Sequence, residues 1–342
     1  MDRKHLRRRI AAAAVAGALL GGPARADDAP SSLRETGLYV AGSVEQLAPG
    51  NRAFAPQYPL WSDGAAKRRW IHLPSGTAID ASGPEWIFPA GTRFWKEFSF
   101  AGRRVETRFI ERLADGSWRF TSYLWNAAGT DAARVRPAGT PTDVEVIPGV
   151  RHQVPAEGDC RSCHEGRPTP VLGFSALQLS PDRDPLAPHA EPAPPGGLDL
   201  RPLVAGGLIR GADPRARAPR IAGTPTARAA LGYLAANCGG CHNQTGPLAA
   251  LDLSLDPAAG VAAVLGSTMG RPSRFLPPGA ADDALRIAPG QPQLSVLVAR
   301  MRSRDPLVQM PPLGTRTVDD AGLALVERWI REQTTTKKER TP

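Results

Sequence analysis

Cysteine and lysine are both scarce in this chain. Four cysteines in 342 residues cannot build a disulfide scaffold, which needs a far denser set. Beyond the N-terminus no apolar run approaches the ~20 residues of a membrane span, so an integral membrane protein is excluded for the chain that follows the leader. No GxSxG, HExxH or phosphate-binding loop is present, which removes the usual serine-hydrolase, zinc-protease and nucleotide-hydrolase chemistries. The basic residues, nearly all arginine, are interspersed with acids, and no block of like charge forms a tail.

What is present begins with a leader. Residues 1–9 are basic, residues 10–20 are apolar, and Ala24 and Ala26 offer the small residues that a signal peptidase reads. This layout predicts a secretory signal over 1–26, cleaved before Asp27, and a periplasmic protein. An uncleaved anchor is the alternative, but the apolar run is too short to span a bilayer. Arg3, Lys4, Arg7, Arg8, Arg9 and Arg25, against Asp2, account for more than half of the formal charge of +9. Nucleic acid as a partner therefore loses its main support.

Composition divides the rest. Residues 27–55 carry few aromatics and read as an N-terminal leader into the fold. Six of the seven Trp lie between 61 and 125, in segments that alternate as strands do. In 104–112, Val105, Thr107 and Phe109 oppose Arg104, Glu106 and Arg108. Asp115-Gly116 marks a turn, and in 117–125 Trp118, Phe120 and Leu124 oppose Arg119, Thr121 and Tyr123. Residues 56–150 thus read as an antiparallel β domain whose tryptophans pack a core, with a carbohydrate-binding face as the alternative. Residues 151–222 are rich in Pro, Gly and Ala, with a short helix expected over 171–180. Helices return in 223–335: one capped by Thr224 or Thr226 and running to Asn237, one over 293–301, and one over 319–333. In the last, Ala321, Leu325 and Trp329 share a face. Residues 336–342 are a tail. The fold class is α+β and multidomain, an N-terminal antiparallel β domain followed by a mainly helical one.

The cysteines carry the chemistry. Cys160-Arg161-Ser162-Cys163-His164 and Cys238-Gly239-Gly240-Cys241-His242 are both CxxCH, and together they use every cysteine. In an exported chain CxxCH is the attachment signal for c-type haem. Two thiols one helical turn apart meet the two vinyl groups on one porphyrin edge, and the adjacent histidine reaches the iron. A zinc site or two simple disulfides could also use CxxC pairs, but neither requires a histidine after both second cysteines. The expected cofactors are two covalently bound haem c groups, with His164 and His242 as axial ligands.

The second motif has a fuller frame. A helix leads into it, and Met310 follows on the loop Gln309-Met310-Pro311-Pro312-Leu313-Gly314, before a terminal helix bearing Trp329. This arrangement resembles the class I cytochrome c fold, with Met310 as the sixth ligand of the second haem. Proline fixes the loop geometry, and His/Met ligation raises the reduction potential. Met301 is the rival, on a predicted helix. The simple class I pattern places Gly and an aromatic eight and four residues before the first Cys, where this chain has Ala230 and Leu234 with Gly232-Tyr233 between. The first motif lacks such a frame. His72, His152, His189, Met269 and Met301 are its candidate sixth ligands, and an open or weakly filled site that binds carbon monoxide is expected. Arg271 and Arg274 are candidate partners for haem propionates.

The likeness extends further. The segments YPLWSDGAAKRRW (58–70), EWIFPAGT (85–92), VLGFSALQLS (171–180), GYLAANCGGCH (232–242) and the MPPLGT loop with its Trp329-Ile330 helix are together similar to a family of exported bacterial two-haem c-type cytochromes. The resemblance implies haem binding and electron transfer through Cys160, Cys163, His164, Cys238, Cys241, His242 and Met310, and it implies no substrate. Three functions remain open on the sequence. One is a periplasmic carrier or redox subunit serving a redox partner protein, such as a dehydrogenase or oxidase. Another is a two-haem peroxidase-like enzyme, and the third is a partner-binding module whose haems serve a complex. Glu157, Asp159 and Glu165, the carboxylates around the first motif, read as solvated groups rather than as catalytic acids.

Overall fold

The computed structural model of the chain describes residues 29–135, 142–213 and 215–333. The predicted signal segment 1–26 and the tail 336–342 lie outside the described residues. The architecture is α+β: an N-terminal antiparallel sheet region followed by a C-terminal helical region. No helix among the described residues is long and apolar enough to cross a membrane.

In chain order the elements begin with strands β1 (Asn51–Phe54), β2 (Ala66–His72), the short β3 (Ile79–Asp80), β4 (Arg93–Phe100), β5 (Arg103–Arg112), β6 (Trp118–Trp125) and β7 (Ala132–Arg134). The hairpin β8 (Thr142–Ile147) and β9 (Val150–Val154) follows, then helix α1 (Glu157–His164). Next come α2 (Leu200–Ala205), β10 (Ile209–Arg210), α3 (Pro225–Asn237), α4 (Val261–Thr268), α5 (Val296–Arg302) and α6 (Asp320–Arg331). The main sheet has the order β1-β2-β4-β5-β6-β7 and is antiparallel throughout. The pair β3 and β10 is parallel.

The hairpin read from alternation is β5–β6. Its turn closes with Leu113 N–H donating to the Ser117 carbonyl at 2.9 Å, and Gly116 supplies the positive φ of +88°. The alternation predicts one solvated face, and here the structure differs, because both faces are covered. On one face Trp70, Trp95, Phe109 and Tyr123 form a core with Leu33, Leu38 and Tyr39. Residues 29–50 are thus not a lead-in. They close that face, and the sheet itself starts at Asn51 rather than near 56. On the other face Phe54, Phe88, Phe94 and Phe174 pack edge to face, with ring centroids 4.8–6.2 Å apart. Trp70, Trp95 and Trp125 are buried and Trp86 and Trp118 half-buried against these cores, so the tryptophans pack the core as expected.

The expected short helix over 171–180 does not form. Pro170 and Gly173 interrupt it, and the polar groups there are used elsewhere. Gln57 N–H donates to the Gln178 carbonyl at 2.9 Å, and the Gln178 amide exchanges hydrogen bonds with the Tyr58 backbone at 3.0 and 3.1 Å. The later helices stand near their predicted limits. Thr224 caps α3 through its hydroxyl, and Asp319 caps α6. On α6 the buried stripe is Gly322, Leu325, Val326, Trp329 and Ile330, whereas Ala321 faces out. The crossing of α3 and α6 depends on glycine. A Cβ on Gly322 would lie 2.3 Å from the Tyr233 ring, and one on Gly232 would lie 2.2 Å from Tyr58. Tyr233 against Gly322 therefore sets the contact between α3 and α6, while Gly232 makes room on α3 for Tyr58.

Candidate functional site

The first CxxCH is the body of α1. Local forces stabilise so short a helix: Asp159 accepts from Ala156 N–H at 3.0 Å, and Arg161 pairs with Glu157 and Glu165 at 2.9 and 2.6 Å, each four residues away. The three acids read as solvated are therefore engaged in holding the helix. Cys160 and Cys163 stand about one turn apart and His164 ends the helix, which packs beneath β6. The His164 ring lies 5.3 Å from that of Phe120.

The second CxxCH starts where α3 stops. Cys238 is its C-cap, and the backbone continues to turn, with Cys241 N–H and His242 N–H both donating to the Cys238 carbonyl at 3.1 and 2.9 Å. The two motifs meet backbone to backbone. A Cβ on Gly166 would lie 2.2 Å from the Gly240 carbonyl oxygen, and one on Gly246 would lie 2.3 Å from that of Gly166. Asn243 pins the junction by donating its amide to the carbonyls of Gly166, Gly239 and Gly240 at 3.0–3.1 Å.

Both motifs open onto one cavity of about 650 Å³, within the ~300–1,000 Å³ range of small-molecule and cofactor sites. Cys160, Cys163, His164, Cys238, Cys241, His242 and Met310 all line it. One wall is the Phe54–Phe94–Phe174 face of the sheet, and the other is the helical region. The four thiols are free, so the disulfide alternative is not adopted. Burial pushes Cys160 up to about 11 and Cys238 up to about 12, and raises Cys163 and Cys241 as well. They are thiols, not thiolates, near neutral pH. Among the described residues no three His, Cys, Asp or Glu side chains converge as a metal-ion cage.

The histidines are prepared differently. His164 Nδ1 lies 2.7 Å from the Pro170 carbonyl. Donation there fixes the tautomer and leaves Nε2 with its lone pair. Burial pushes this imidazole down to about 4, with Lys96 and Arg108 lowering it further against the Pro170 bond. His242 makes no hydrogen bond through its ring among the described residues, and its Nδ1 is fully enclosed. Burial, with Arg300 and Arg286 nearby, lowers it too. Each CxxCH thus presents a neutral imidazole at the cavity wall.

Met310 lines the cavity on a loop held at its start by its own N–H on the Arg300 carbonyl at 3.1 Å. Met301 is instead buried in the helical core, away from the cavity. The candidates for the first motif are all elsewhere. His72 lies 3.0 Å from Asn51 Oδ1, His152 is buried 2.9 Å from Glu106, and His189 lies 2.8 Å from Asp319 and beside Trp61. Met269 packs on the helical core. Arg271 and Arg274 are exposed and bonded to the Gly266 and Ala250 carbonyls. The arginines at the cavity beside His242 are Arg286 and Arg300, which donate to backbone carbonyls and have no carboxylate partner among the described residues.

The sheet adds residues that the sequence reading missed. Arg69, Lys96 and Arg108 stand directly opposite one another on β2, β4 and β5 and all line the cavity. The sign was in the alternation of β4, where Lys96 occupies the inward position between Phe94 and Phe98. Comparison with family models, curated proteins and solved structures returns no match for this chain.

Proposed function

We propose that this chain is an exported two-haem c-type cytochrome that moves electrons to or from a redox partner protein. The observation that carries the reading is the convergence of both CxxCH motifs on one cavity, each with a neutral histidine at its wall. Haem bound there supplies a one-electron ferric–ferrous couple. The residues fit it. Four protonated thiols stand in one-turn pairs for thioether formation, and His164 has Nε2 free because Pro170 holds Nδ1. Arg286 and Arg300, which line the cavity and form no salt bridge among the described residues, suit the propionates of the second haem.

The chain's part in electron transfer is positioning. The contact at Gly166, Gly240 and Gly246 keeps the two attachment points adjacent, and the aromatic wall gives the cavity an apolar lining. Met310, on its proline-bearing loop, and His242 would hold the iron of the second haem through sulfur and imidazole nitrogen. Replacing Met310 with Ala is expected to abolish the near-infrared sulfur-to-iron band and to lower one of two reduction potentials while the other stays in place. Loss of that band in Met301→Ala instead would overturn the assignment.

The carrier reading is favoured over a peroxidase one because the carboxylates at the first motif are committed to Arg161 and to the helix cap. A peroxidase needs a free acid–base group over the iron. The deciding experiment is steady-state turnover of hydrogen peroxide with a reduced donor, run beside a redox titration. Two reversible one-electron couples without turnover support the carrier. Sustained turnover lost on His164→Gly, in a folded variant, would replace it with the peroxidase.

A further inference from the structure

The row Arg69–Lys96–Arg108 crosses the cavity face of the sheet, between the apolar row Ile71–Phe94–Ile110 on one side and the row Lys67–Phe98–Glu106 on the other. Two of its cations are compensated. Arg69 pairs with Glu191, and Arg108 forms a two-pronged pair with Glu106 at 2.6 and 3.1 Å. Lys96 is not. Its Nζ lies 4.8 Å from the centre of the Phe98 ring and makes no hydrogen bond or ion pair among the described residues. An isolated cation against an apolar wall is costly, so the side chain is favoured there as the neutral amine. Burial, with Arg69, Lys67 and Arg108 nearby, indeed holds it far below the ordinary lysine value.

The residue type is informative. The described part of this arginine-rich chain contains only two lysines, Lys67 and Lys96. Lys67 has a conventional role, donating to the Leu60 carbonyl at 2.8 Å. At an anion site arginine would serve as well or better, since its guanidinium binds carboxylates in two prongs. What arginine cannot do is lose its proton and offer an electron pair. Position supports the same distinction. The cysteines of α1 sit under β6, and β4 lies two strand spacings away, about 9.5 Å, with Lys96 reaching back into the cavity. Lys96, His164 and Cys163 all line the same cavity. Among the cavity-lining side chains apart from the CxxCH residues and Met310, no other nitrogen or sulfur has an available lone pair. The Tyr58 hydroxyl is bonded to Asp184 at 3.0 Å, and the Glu85 and Asp256 carboxylates are paired with Arg167.

We propose that Lys96 is the second axial ligand, beside His164, of the iron held at Cys160 and Cys163. This rests on the haem reading above and completes it. The amine gives its electron pair to the iron, and nothing is oxidised or reduced in forming that bond. The first haem is then six-coordinate and low-spin, not open.

Two substitutions in the full-length holo-protein test this, read by haem count, spin state and carbon monoxide binding. Lys96→Arg places a side chain of similar length there but offers no lone pair. It should retain two haems, turn one of them high-spin, and bind about one carbon monoxide per chain where the parent binds none. Lys96→Met introduces no buried charge, so it should fold even where the arginine variant does not. It should remain low-spin and gain a second sulfur-to-iron contribution beside that of Met310. Two haems that both stay low-spin in Lys96→Arg, an unaltered near-infrared spectrum in Lys96→Met, or a high-spin haem in the parent would each overturn Lys96 as ligand while leaving the haem reading intact. A parent chain with no haem at Cys160 and Cys163 would overturn both, and the haem count alone reveals that case.

Discussion

Replacing Cys160 and Cys163 together with alanine is expected to halve the covalently bound haem, from two per chain to one. The pair Cys238→Ala and Cys241→Ala should do the same, and all four substitutions together should leave none. The expectation rests on two motifs that are each complete in thiols and histidine and that approach the cavity from different elements, α1 and the end of α3. Haem absorbance after denaturation, set against the intact mass of the chain, gives the count. A parent value of one, unchanged by the Cys160/Cys163 substitutions, would show that α1 presents its thiols for another purpose. The surviving haem in each double variant should also lose part of its wall, because the two sites share one cavity.

Glu106→Gln should cost about 3–5 kcal/mol of stability, the range for breaking a buried ion pair by removing one partner. Glu106 is fully buried and is held by Arg108 on both oxygens and by His152, 2.9 Å from Oε2. Burial would raise its carboxyl, but Arg108 and His152 outweigh that and hold it below the usual value. The depressed folded value fixes the sign of the pH dependence. The stabilisation is fully present above the unfolded carboxylate range, ~4.3, and is lost as pH falls through the folded value. Denaturant unfolding of parent and variant at neutral pH measures the difference. A loss under 1 kcal/mol would mean that Arg108 finds another partner in the cavity. Glu106→Gln combined with Arg108→Met should recover part of the loss, since no uncompensated cation then remains.

The features written in local spacing were legible, and those that depend on distant packing were not. CxxCH, the Asp115-Gly116 turn, the Thr224 cap and the proline-bearing Met310 loop are each contained within a few residues. The β5–β6 hairpin was legible from alternation, but its outward face was misassigned. Glu106 and Arg108 look like solvated charges until the helical region and the β8–β9 hairpin cover them. Leu33, Leu38 and Tyr39 looked like a lead-in because so sparse an apolar set gives no period, yet the sheet needs them on its second face. Over 171–180 a helical reading failed because Gln178 and its neighbours bond to residues 57–58, more than a hundred positions away. Lys96 was passed over for a related reason. A single charge between Phe94 and Phe98 carries no local sign of its role, and only the fold shows that no partner among the described residues meets it.

The segment Tyr58–Asp63 has a consequence for how the molecule comes apart. Tyr58 fits against Gly232 of α3, Trp61 N–H donates to Asn237 at 2.8 Å, and its indole donates to the Thr317 carbonyl at 3.2 Å. Asp63 accepts from Arg316 N–H and Thr317 N–H at 2.8 and 3.0 Å, just beyond the Met310 loop. This strap leads directly into β2, so the sheet and the helical region are fastened through residues that belong to both. Melting the helical region would strip Tyr58 and Trp61 of their partners and open the sheet's cavity face. The regions that composition separates are therefore expected to unfold as a single cooperative unit.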